Sequence, residues 1–369
     1  MFRSLPARDH FWMGDVLITG ATGFVGQELL ARLLDRDDRH VHALVRAADD
    51  RAAAERLPGH ARLSAWAADI ERPGLGLDAW RTDALAERVS TVIHCAASVS
   101  FSLGLEESRR VNVEGTRHMV ELAERCAGLD RFSYVSTAYV AGAHRGAFSE
   151  EDLDVGQDFR NAYERSKFEA EQVVRERAAR LPVQVLRPSI VVGDSRTGWT
   201  SSFNVLYPPL RAFARGAIPA LPARRGAPVD VVPVDYVADS VERLAREGPD
   251  GTFHLVAGRN ATTVGRLMEL ASRHFERPAP PVFPPRLYRR VVHPLLLQRM
   301  GRARRDALRR MEVFFPYFSM RVRFADRRHP PAPPVERYFD RLLEFAERAR
   351  WGRRPVERPP AAGVVPLSA

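Results

Sequence analysis

The chain has 369 residues, a hydrophobic content of 45% and a formal net charge of +10. This length suits one large domain with an elaboration, or two domains, and allows a sizeable hydrophobic core. The two cysteines, Cys95 and Cys126, exclude a disulfide framework and a cysteine-based metal site, and they predict a reducing, cytoplasmic location. The first residues lack the apolar core of a signal peptide, and no apolar run approaches the roughly 18 residues of a membrane span.

The positive charge favours acidic partners such as phosphates, carrier proteins or anionic lipid, although a compositional drift toward arginine explains it equally well. Lys167 is the only lysine among the 56 basic residues. A compact ammonium differs chemically from a guanidinium fork. We therefore expect Lys167 to occupy a place that arginine cannot fill.

The first predicted strand and helix enclose a glycine-rich turn. An apolar run at 16–18 enters the turn 19–26, an amphipathic helix follows, and Val41–Val45 forms a second apolar run. Strand, turn, helix and strand within about 30 residues are the context of a dinucleotide-binding fingerprint. Glycines allow a tight turn, close approach of a pyrophosphate and close packing of the helix on the sheet. The predicted phosphate-binding residues are Gly20, Thr22, Gly23, Phe24, Val25 and Gly26.

The residue after the second strand distinguishes the two nicotinamide cofactors. NAD-binding proteins commonly carry an acid there, which binds the ribose 2′-hydroxyl. Here Arg46 occupies that place, and a guanidinium suits a 2′-phosphate. The sequence therefore favours NADPH over NADH, although the nearby Asp49 and Asp50 keep NADH as the alternative.

Strands and helices continue to alternate along the first half of the chain. Apolar runs predict strands over 61–68, 89–95, 131–136 and 183–186, and helical periodicity predicts helices over 109–126 and 163–179. This alternation predicts an α/β fold with a doubly wound parallel sheet. Right-handed crossovers would place the carboxyl ends of its strands along one edge, beside the cofactor.

Beyond Asp194 the prolines cluster, which is typical of irregular structure. Residues 229–237 and 252–256 are again strand-like, and 264–275 reads as an amphipathic helix. We expect a Rossmann domain over 13–195 that returns at about 229–257, a smaller, mostly helical substrate-binding cap over 196–228 and 258–351, and a disordered tail over 352–369.

Tyr163 and Lys167 are four residues apart on a predicted helix, so they share one face. A neighbouring ammonium would lower the pKa of the phenol from its ordinary value of about 10 toward a catalytic range. The alternative is an exposed tyrosine beside a solvated lysine. Ser136 and Thr137 end the preceding strand, and because adjacent strand residues face opposite ways, only one of them would enter the site. Asn112 is either a polar anchor of the site or a structural residue of its helix.

These motifs together resemble the extended short-chain dehydrogenases/reductases, and within them the fatty acyl-CoA reductase (male-sterility-type) and thioester reductase branch. The matching segments cover roughly residues 16–192 and are TGATGFVG, ALVRA, ADIERPGLGL, VIHCAASVSF, VNVEGT, YVSTAYV, YERSK and LRPSIV. Past Asp194 the resemblance fades. Ala68 stands where the family usually has glycine.

The resemblance implies roles for individual residues. Thr137 would polarise the carbonyl, with Ser136 as the alternative if the register shifts by one. Tyr163 would donate the proton, and Lys167 would bind the ribose and tune the phenol. Further cofactor contacts implied by the resemblance are Asp69 and Ile70 at the adenine end, Ala96 beside the nicotinamide, and Pro188.

The resemblance also implies an NADPH-dependent reductase of acyl thioesters, carried on coenzyme A or on an acyl carrier protein. The product would be the aldehyde, with further reduction to the alcohol left open. One alternative is a ketone or alcohol dehydrogenase, or an epimerase, that acts on a sterol or a nucleotide sugar. Another is a non-catalytic NADP-binding protein.

Residues 286–323 carry eleven arginines and two acids, with large apolar residues between them. This pattern suits a cap helix with one packed face, contact with an anionic membrane surface, or binding of coenzyme A phosphates or an acidic carrier. No nucleic-acid recognition module accompanies the charge, so a nucleic-acid partner is not expected. The sequence leaves the oligomeric state open.

Overall fold

A computed structural model describes residues 14–354 and 356–358. Within them the strands, in chain order, are β1 (Asp15–Thr19), β2 (Val41–Val45), β3 (Leu63–Ala67), β4 (Val89–His94), β5 (Arg131–Val135), β6 (Arg145–Phe148), β7 (Val183–Pro188), β8 (Ile190–Val192), β9 (Leu221–Pro222), β10 (Pro228–Val229), β11 (Val231–Pro233), β12 (Gly251–Leu255), β13 (Thr262–Thr263), β14 (Val282–Phe283) and β15 (Arg321–Phe324).

The α-helices of the same residues are α1 (Phe24–Arg36), α2 (Asp50–Ala54), α3 (Ala79–Arg88), α4 (Leu105–Arg109), α5 (Gly115–Arg125), α6 (Ala162–Arg175), α7 (Tyr207–Ala214), α8 (Val234–Glu247), α9 (Val264–His274), α10 (Pro285–Leu287), α11 (His293–Arg299), α12 (Arg302–Met311) and α13 (Phe339–Arg348). Short 3₁₀ turns cover Pro73–Gly76, Ala138–Ala141, Gly258–Asn260, Glu312–Ser319 and Val335–Arg337, and π-helical turns cover Arg110–Glu114 and Tyr288–Val292.

Seven strands form one parallel sheet in the order β12-β7-β5-β4-β1-β2-β3. The direction of winding reverses between β1 and β4, where the two connections leave in opposite directions. In such sheets a crevice opens at the carboxyl ends of the strands at this reversal point, and ligands bind there. The predicted doubly wound parallel sheet is confirmed.

Helices cover both faces of this sheet, and the alternation within β1 shows how. Val16 and Ile18 belong to the core beneath α1 and α8, whereas Leu17 belongs to the core beneath α3, α5 and α6. All three side chains are fully buried. Burial on both faces explains why apolar residues stand next to each other in β1 and β2 rather than alternating with polar ones. Each such side chain contributes roughly 1.5–3 kcal/mol by leaving water.

A separate apolar core lies in the C-terminal part of the chain, where α7, α9, α13 and the turn Glu312–Ser319 pack together. The parallel pair β6 and β15 joins this part to the segment after β5. The predicted helix at 264–275 is α9. The strand-like reading of 229–237 is wrong beyond Pro233, because α8 begins at Val234 with its valines at helical spacing against the sheet.

No helix in the described part of the chain combines the length and apolarity that crossing a membrane requires. The predicted tail at 352–369 lies outside the described residues except for 352–354 and 356–358. Within that exception, the Val356 carbonyl accepts a hydrogen bond from Trp199 Nε1 at 3.3 Å, and Arg358 forms an ion pair with Glu28 of α1.

Candidate active site

The turn between β1 and α1 leaves no room for side chains at two glycines. Gly20 has a φ of +74°, and a Cβ added to it would lie 2.7 Å from the Ala96 backbone nitrogen. A Cβ added to Gly26 would lie 2.0 Å from the Gly20 carbonyl oxygen. The first contact brings β1 close to the segment after β4, and the second lets α1 lie close to the turn. Both glycines are therefore required by the backbone path itself.

Gly23 is exposed and caps α1 without a side-chain hydrogen bond. The first N–H groups of a helix lack partners within the helix and carry the positive end of its dipole, so they suit an anion. Phe24 and Val25 pack inward from the first turn, the former against Trp199 and the latter against the sheet core. Thr22 holds the turn through its carbonyl, which accepts from Gln27 Nε2 at 2.9 Å. These features fit the pyrophosphate of a dinucleotide.

Thr19 joins β1 to β4 at the reversal point, a role that the sequence reasoning missed. Its hydroxyl oxygen accepts the Cys95 and Ala96 N–H groups at 3.2 and 3.1 Å and lies 2.8 Å from His94 Nδ1. Burial, with a smaller effect of Lys167, lowers the pKa of His94 to about 3, so the ring is neutral. The hydroxyl therefore donates to His94 Nδ1, and His94 Nε2 donates to Thr116 Oγ1 at 3.2 Å. Ala96, the predicted nicotinamide contact, is thus held in place by the hydrogen bond from its backbone N–H to Thr19.

Asp69 and Ile70, predicted at the adenine end of the cofactor, directly follow β3 and are partly exposed. Asp69 Oδ1 accepts the Glu71 N–H at 3.0 Å, which orders the turn after the strand. Ile70 packs on Gly115, where an added Cβ would lie 2.9 Å from Ile70 Cδ1. Both residues thus lie at the crevice edge of the sheet, on a turn braced by α5.

Arg46 follows β2 with its side chain 75% exposed, and its guanidinium lies 3.3 Å from Glu71 Oε1. The two aspartates that kept NADH as an alternative are both engaged elsewhere. Asp49 caps α2 by accepting the Ala52 N–H at 2.8 Å, and Asp50 accepts the Ala67 N–H at 2.7 Å. Asp50 also pairs with Arg81 through Oδ2 at 2.9 Å, whereas the hydrogen bond of Asp49 uses only its Oδ1.

Tyr163 and Lys167 lie one turn apart at the beginning of α6. Lys167 is only 2% exposed, and its Nζ donates to the Val135 carbonyl at 2.9 Å while lying 4.3 Å above the Tyr134 ring. Burial lowers the pKa of Lys167 to about 7, against the opposing effects of Cys95 and Glu171. The ammonium is thus held at the carboxyl end of β5.

The expectation that Lys167 lowers the pKa of Tyr163 is wrong for the protein alone. Burial raises the pKa of Tyr163 to about 12, opposed by its hydrogen bond with Thr137. The lysine headgroup is directed to Val135 and Tyr134 rather than to the phenol. Tyr163 is therefore a protonated phenol at neutral pH, able to donate its proton and not poised to accept one.

Ser136 and Thr137 face opposite ways, as strand geometry predicts. Ser136 Oγ donates to Glu171 Oε2 at 2.8 Å, away from Tyr163. Thr137 Oγ1 accepts the Tyr139 N–H at 3.2 Å, and it lies 3.4 Å from the Pro188 carbonyl at the end of β7. Of the two hydroxyls, Thr137 is the one beside Tyr163.

Asn112 lies in the π-helical turn between α4 and α5 and is 1% exposed. Its Oδ1 accepts the Ser98 N–H at 2.8 Å, and its Nδ2 donates to the Ser98 carbonyl and to Ser166 Oγ at 3.1 and 2.9 Å. The side chain therefore connects the segment after β4 to α6, next to Lys167. The amide hydrogens and the oxygen of Asn112 are thus all used in contacts within the protein.

A buried ion pair behind α6 was not foreseen from the sequence. Glu171 and Arg187 are both fully buried, and Arg187 Nη2 donates to Glu171 Oε1 at 2.6 Å. Arg187 also contacts His254, whose pKa is lowered to about 4 by burial and by this guanidinium. Burial acts against ionisation of Glu171, but Arg187 keeps the pKa of that carboxyl below its ordinary value. The pair ties α6 to β7 and β12.

An apolar pocket lies near Thr137 and Tyr163. The empty volume of the pocket, including the part open to solvent, is about 850 Å³. Its lining residues are all apolar or aromatic. Tyr139, whose N–H binds Thr137, forms one wall, and Tyr317 forms another. Phe101 stacks on Tyr317 with ring centroids 5.6 Å apart and lies 5.7 Å from the Tyr163 ring. Thr137 and Tyr163 are thus neighbours of the pocket wall, Thr137 through Tyr139 and Tyr163 through Phe101, and do not themselves line the pocket.

Comparison with known proteins yields one family match. The profile of an NAD-binding family described as male sterility protein matches residues 18–241. Fatty acyl-CoA reductase 1 of Xenopus laevis is 30% identical over 281 residues, which cover 63% of this chain and 54% of that protein. The isonitrile lipopeptide synthase of Streptomyces coeruleorubidus is 33% identical over 273 residues, covering 69% of this chain and 18% of the synthase. The chain thus spans about half the length of the former relative.

Among solved structures, the terminal R domain from the myxalamid PKS-NRPS biosynthetic pathway superposes with a TM-score of 0.78 at 25% identity, covering 94% of both chains. That coverage includes the C-terminal part beyond the family match. The likeness therefore extends to the region that forms the apolar pocket.

Proposed function

This chain belongs to the male sterility protein family of extended short-chain dehydrogenases/reductases, and from that premise we propose that it reduces acyl thioesters with NADPH. The family resemblance predicted from the motifs is confirmed, and with it the assignment to a class of NAD(P)-dependent oxidoreductases. The observation that carries the finer proposal is the purely apolar pocket, whose wall residues Tyr139 and Tyr317 connect it to Thr137 and, through Phe101, to Tyr163. A nucleotide sugar would need polar partners in such a pocket, whereas an acyl chain needs none.

The proposed chemistry places the thioester carbonyl between Thr137 and Tyr163. When bound, a reduced nicotinamide cofactor supplies the hydride. Tyr163, protonated because burial raises its pKa to about 12, donates toward the carbonyl oxygen as negative charge develops there. A donor placed at a developing oxyanion in a site without water lowers the barrier by about 2.7–4 kcal/mol. Lys167, whose pKa is lowered to about 7, supplies a nearby positive charge only below that pH, where it is protonated.

The atoms and electrons of the reaction balance. The carbonyl carbon gains the hydride, and the carbonyl oxygen gains the Tyr163 proton. The resulting hemithioacetal breaks its C–S bond, so the carbonyl re-forms and the expelled sulfur takes up a proton. A thioester, NADPH and one proton thereby give an aldehyde, a thiol and NADP⁺.

The preference for NADPH rests on Arg46, whose exposed guanidinium is next to the turn where a ribose 2′-phosphate would lie. Replacing Arg46 by Ser should raise the KM for NADPH by about tenfold, the effect of one lost charge-assisted hydrogen bond, and leave the KM for NADH unchanged. Equal changes with both cofactors would contradict the proposed contact.

The test of the reaction is a panel of substrates assayed for NADPH oxidation and for aldehyde. The panel should contain long-chain acyl-CoA, acyl carrier protein, a ketosteroid and a nucleotide sugar. Aldehyde formation from a long-chain thioester supports the proposal. Turnover confined to the ketosteroid or the nucleotide sugar would replace it by the alternative dehydrogenase or epimerase.

We also propose that the segment 286–323 touches anionic membrane, where long-chain substrates partition. Leu287, Val291 and Leu295 recur at intervals of four residues and are each 45–46% exposed, with arginines among them. Co-sedimentation with phosphatidylserine vesicles, but not with phosphatidylcholine vesicles, is the expected result. Replacing the three residues by Ser should abolish it.

A further inference from the structure

A groove rich in arginine lies beside the apolar pocket. It encloses about 1430 Å³ of space open to solvent, and no carboxylate lines it. Its basic lining residues are His144, Arg145, Arg160, Arg224, Arg286, Arg289 and Arg321. The groove gathers guanidiniums from segments far apart in the sequence into one concavity.

Most of the positive charge in this groove is not neutralised by the protein; the exception is Arg160, which forms an ion pair with Glu164 at 3.3 Å. Among the described residues, Arg145, Arg224, Arg286, Arg289 and Arg321 form no ion pair with a carboxylate, and all five are exposed. By contrast, most arginines over the parallel sheet, on α1, α3, α5 and α6, are paired with Asp or Glu. Converging like charges repel each other, so such a cluster is stabilised by a bound anion.

The groove adjoins the apolar pocket and the catalytic helix. Met320 lines both cavities. Arg160, at one end of the groove, lies 5.7 Å above the ring of Tyr317, which walls the pocket. The backbone N–H of Arg160 donates to Glu164 at 2.9 Å, one residue beyond Tyr163. An anion in the groove and an acyl chain in the pocket could therefore belong to one molecule.

We propose that this groove binds the phosphate groups of coenzyme A, an inference that rests on the proposed thioester reduction. Coenzyme A carries a diphosphate and a 3′-phosphate at one end and the thioester at the other, joined by an uncharged arm. That order matches the arginine groove, the Tyr163 site and the apolar pocket. Guanidiniums bind phosphates with paired, charge-assisted hydrogen bonds.

The shape of the groove selects coenzyme A over an acidic carrier protein. Its arginines point into a concavity, which fits a compact group with several phosphates. A carrier protein presents one phosphodiester and a surface of separate carboxylates, which calls for an exposed, outward-facing basic patch. The carrier is therefore the competing outcome of the test.

The experiment neutralises two groove arginines together, as Arg286→Gln with Arg289→Gln, in the full chain. Binding of coenzyme A is measured by calorimetry, and reduction is measured with acyl-CoA and with the matching acyl-pantetheine, which lacks the phosphates. The variant should bind coenzyme A at least about tenfold more weakly and raise the KM for acyl-CoA similarly, with kcat retained. The KM for acyl-pantetheine should stay unchanged.

Arg125→Gln is the matched control, because Arg125 pairs with Asp83 at the opposite edge of the sheet. It should leave coenzyme A binding and both KM values unchanged. Unaltered coenzyme A binding in the groove variant, or a loss confined to acyl carrier protein, would overturn the proposal. If no thioester is reduced, the proposed function fails separately, and the calorimetric result still decides whether the groove binds coenzyme A.

Discussion

Two charged regions flank helix α6, which carries Tyr163 and Lys167, and they differ in how their charges are balanced. Behind the helix, Glu171 and Arg187 are fully buried and joined at 2.6 Å. In front of it, five of the six groove arginines are exposed, and no acidic residue lines the groove. In the first region the charges have partners within the protein, whereas the exposed arginines of the second have no carboxylate partner among the described residues and can bind an anion.

Solvation explains this difference. A buried charge loses its hydration, so the fold must supply a partner with good geometry. An exposed guanidinium keeps its water at little cost and can exchange that water for an arriving anion. The buried pair therefore helps to specify the fold, and the exposed cluster is free to specify a ligand. Tyr163 lies between the two, and the predictions below separate their contributions.

The largest effect is expected at Tyr163 itself. Tyr163→Phe removes the proton donor and should lower kcat about 10²–10⁴-fold while NADPH binding stays nearly unchanged. Stopped-flow turnover and fluorescence titration of NADPH measure the two quantities. Retention of full activity would show that another group donates the proton.

The buried region should respond through stability rather than through substrate affinity. Glu171→Ala leaves Arg187 without its partner and should lower the free energy of unfolding by about 3–5 kcal/mol. Urea denaturation measures it. The control is Glu55→Ala, which breaks the exposed pair with Arg51 and should change stability by less than about 0.5 kcal/mol. Similar losses in both variants would mean that burial does not distinguish the pairs.

The pocket should set the length of acyl chain that is reduced. Ala271 is 3% exposed and lines the pocket from α9, so Ala271→Leu should fill part of it. We expect kcat/KM for the longest chain to fall about tenfold, with little change for short chains. Arg273→Leu, on the exposed side of the same helix, is the control. A uniform fall across all chain lengths would argue that the acyl group lies elsewhere.

The last effect concerns Lys167 and pH. Its pKa is lowered from 10.5 to about 7, so between these values the unfolded chain binds the proton and the folded chain does not. Stability of the protein without cofactor should therefore rise with pH above 7, by up to about 1.4 kcal/mol per unit, relative to Lys167→Met. The Lys167→Met variant should be more stable than the unaltered protein, and this difference in the free energy of unfolding should shrink between pH 7 and pH 9 when measured by urea denaturation. A constant difference would show that the lysine titrates normally.

The sequence predicted those features that depend on neighbours in the chain. The turn at Gly20 and Gly26, the opposite orientations of Ser136 and Thr137, and the placement of Tyr163 and Lys167 on one helix all follow from local geometry. The start of α8 was missed although Pro233 could have signalled it, because the β-branched valines after this proline suggested a strand.

The sequence did not predict features that are assembled from residues far apart in the chain. Glu171, Arg187 and His254 come from three elements, and nothing in their spacing predicts a contact. The arginine groove likewise joins residues from 145 to 321. The pKa of Tyr163 was misjudged because spacing shows which side chains share a face, whereas burial and the direction of the ammonium decide the proton affinity.

The hydroxyl of Tyr317 donates to Glu164 at 2.7 Å and accepts from Asn161, the cap of α6, at 2.7 Å, while its ring walls the pocket. If the proposed acyl chain occupies the pocket, it restrains the ring, and the ring restrains the first turn of the helix that carries Tyr163. The inert end of the substrate would then help to aim the proton at the reactive end, and a truncated thioester would be reduced more slowly even at saturation.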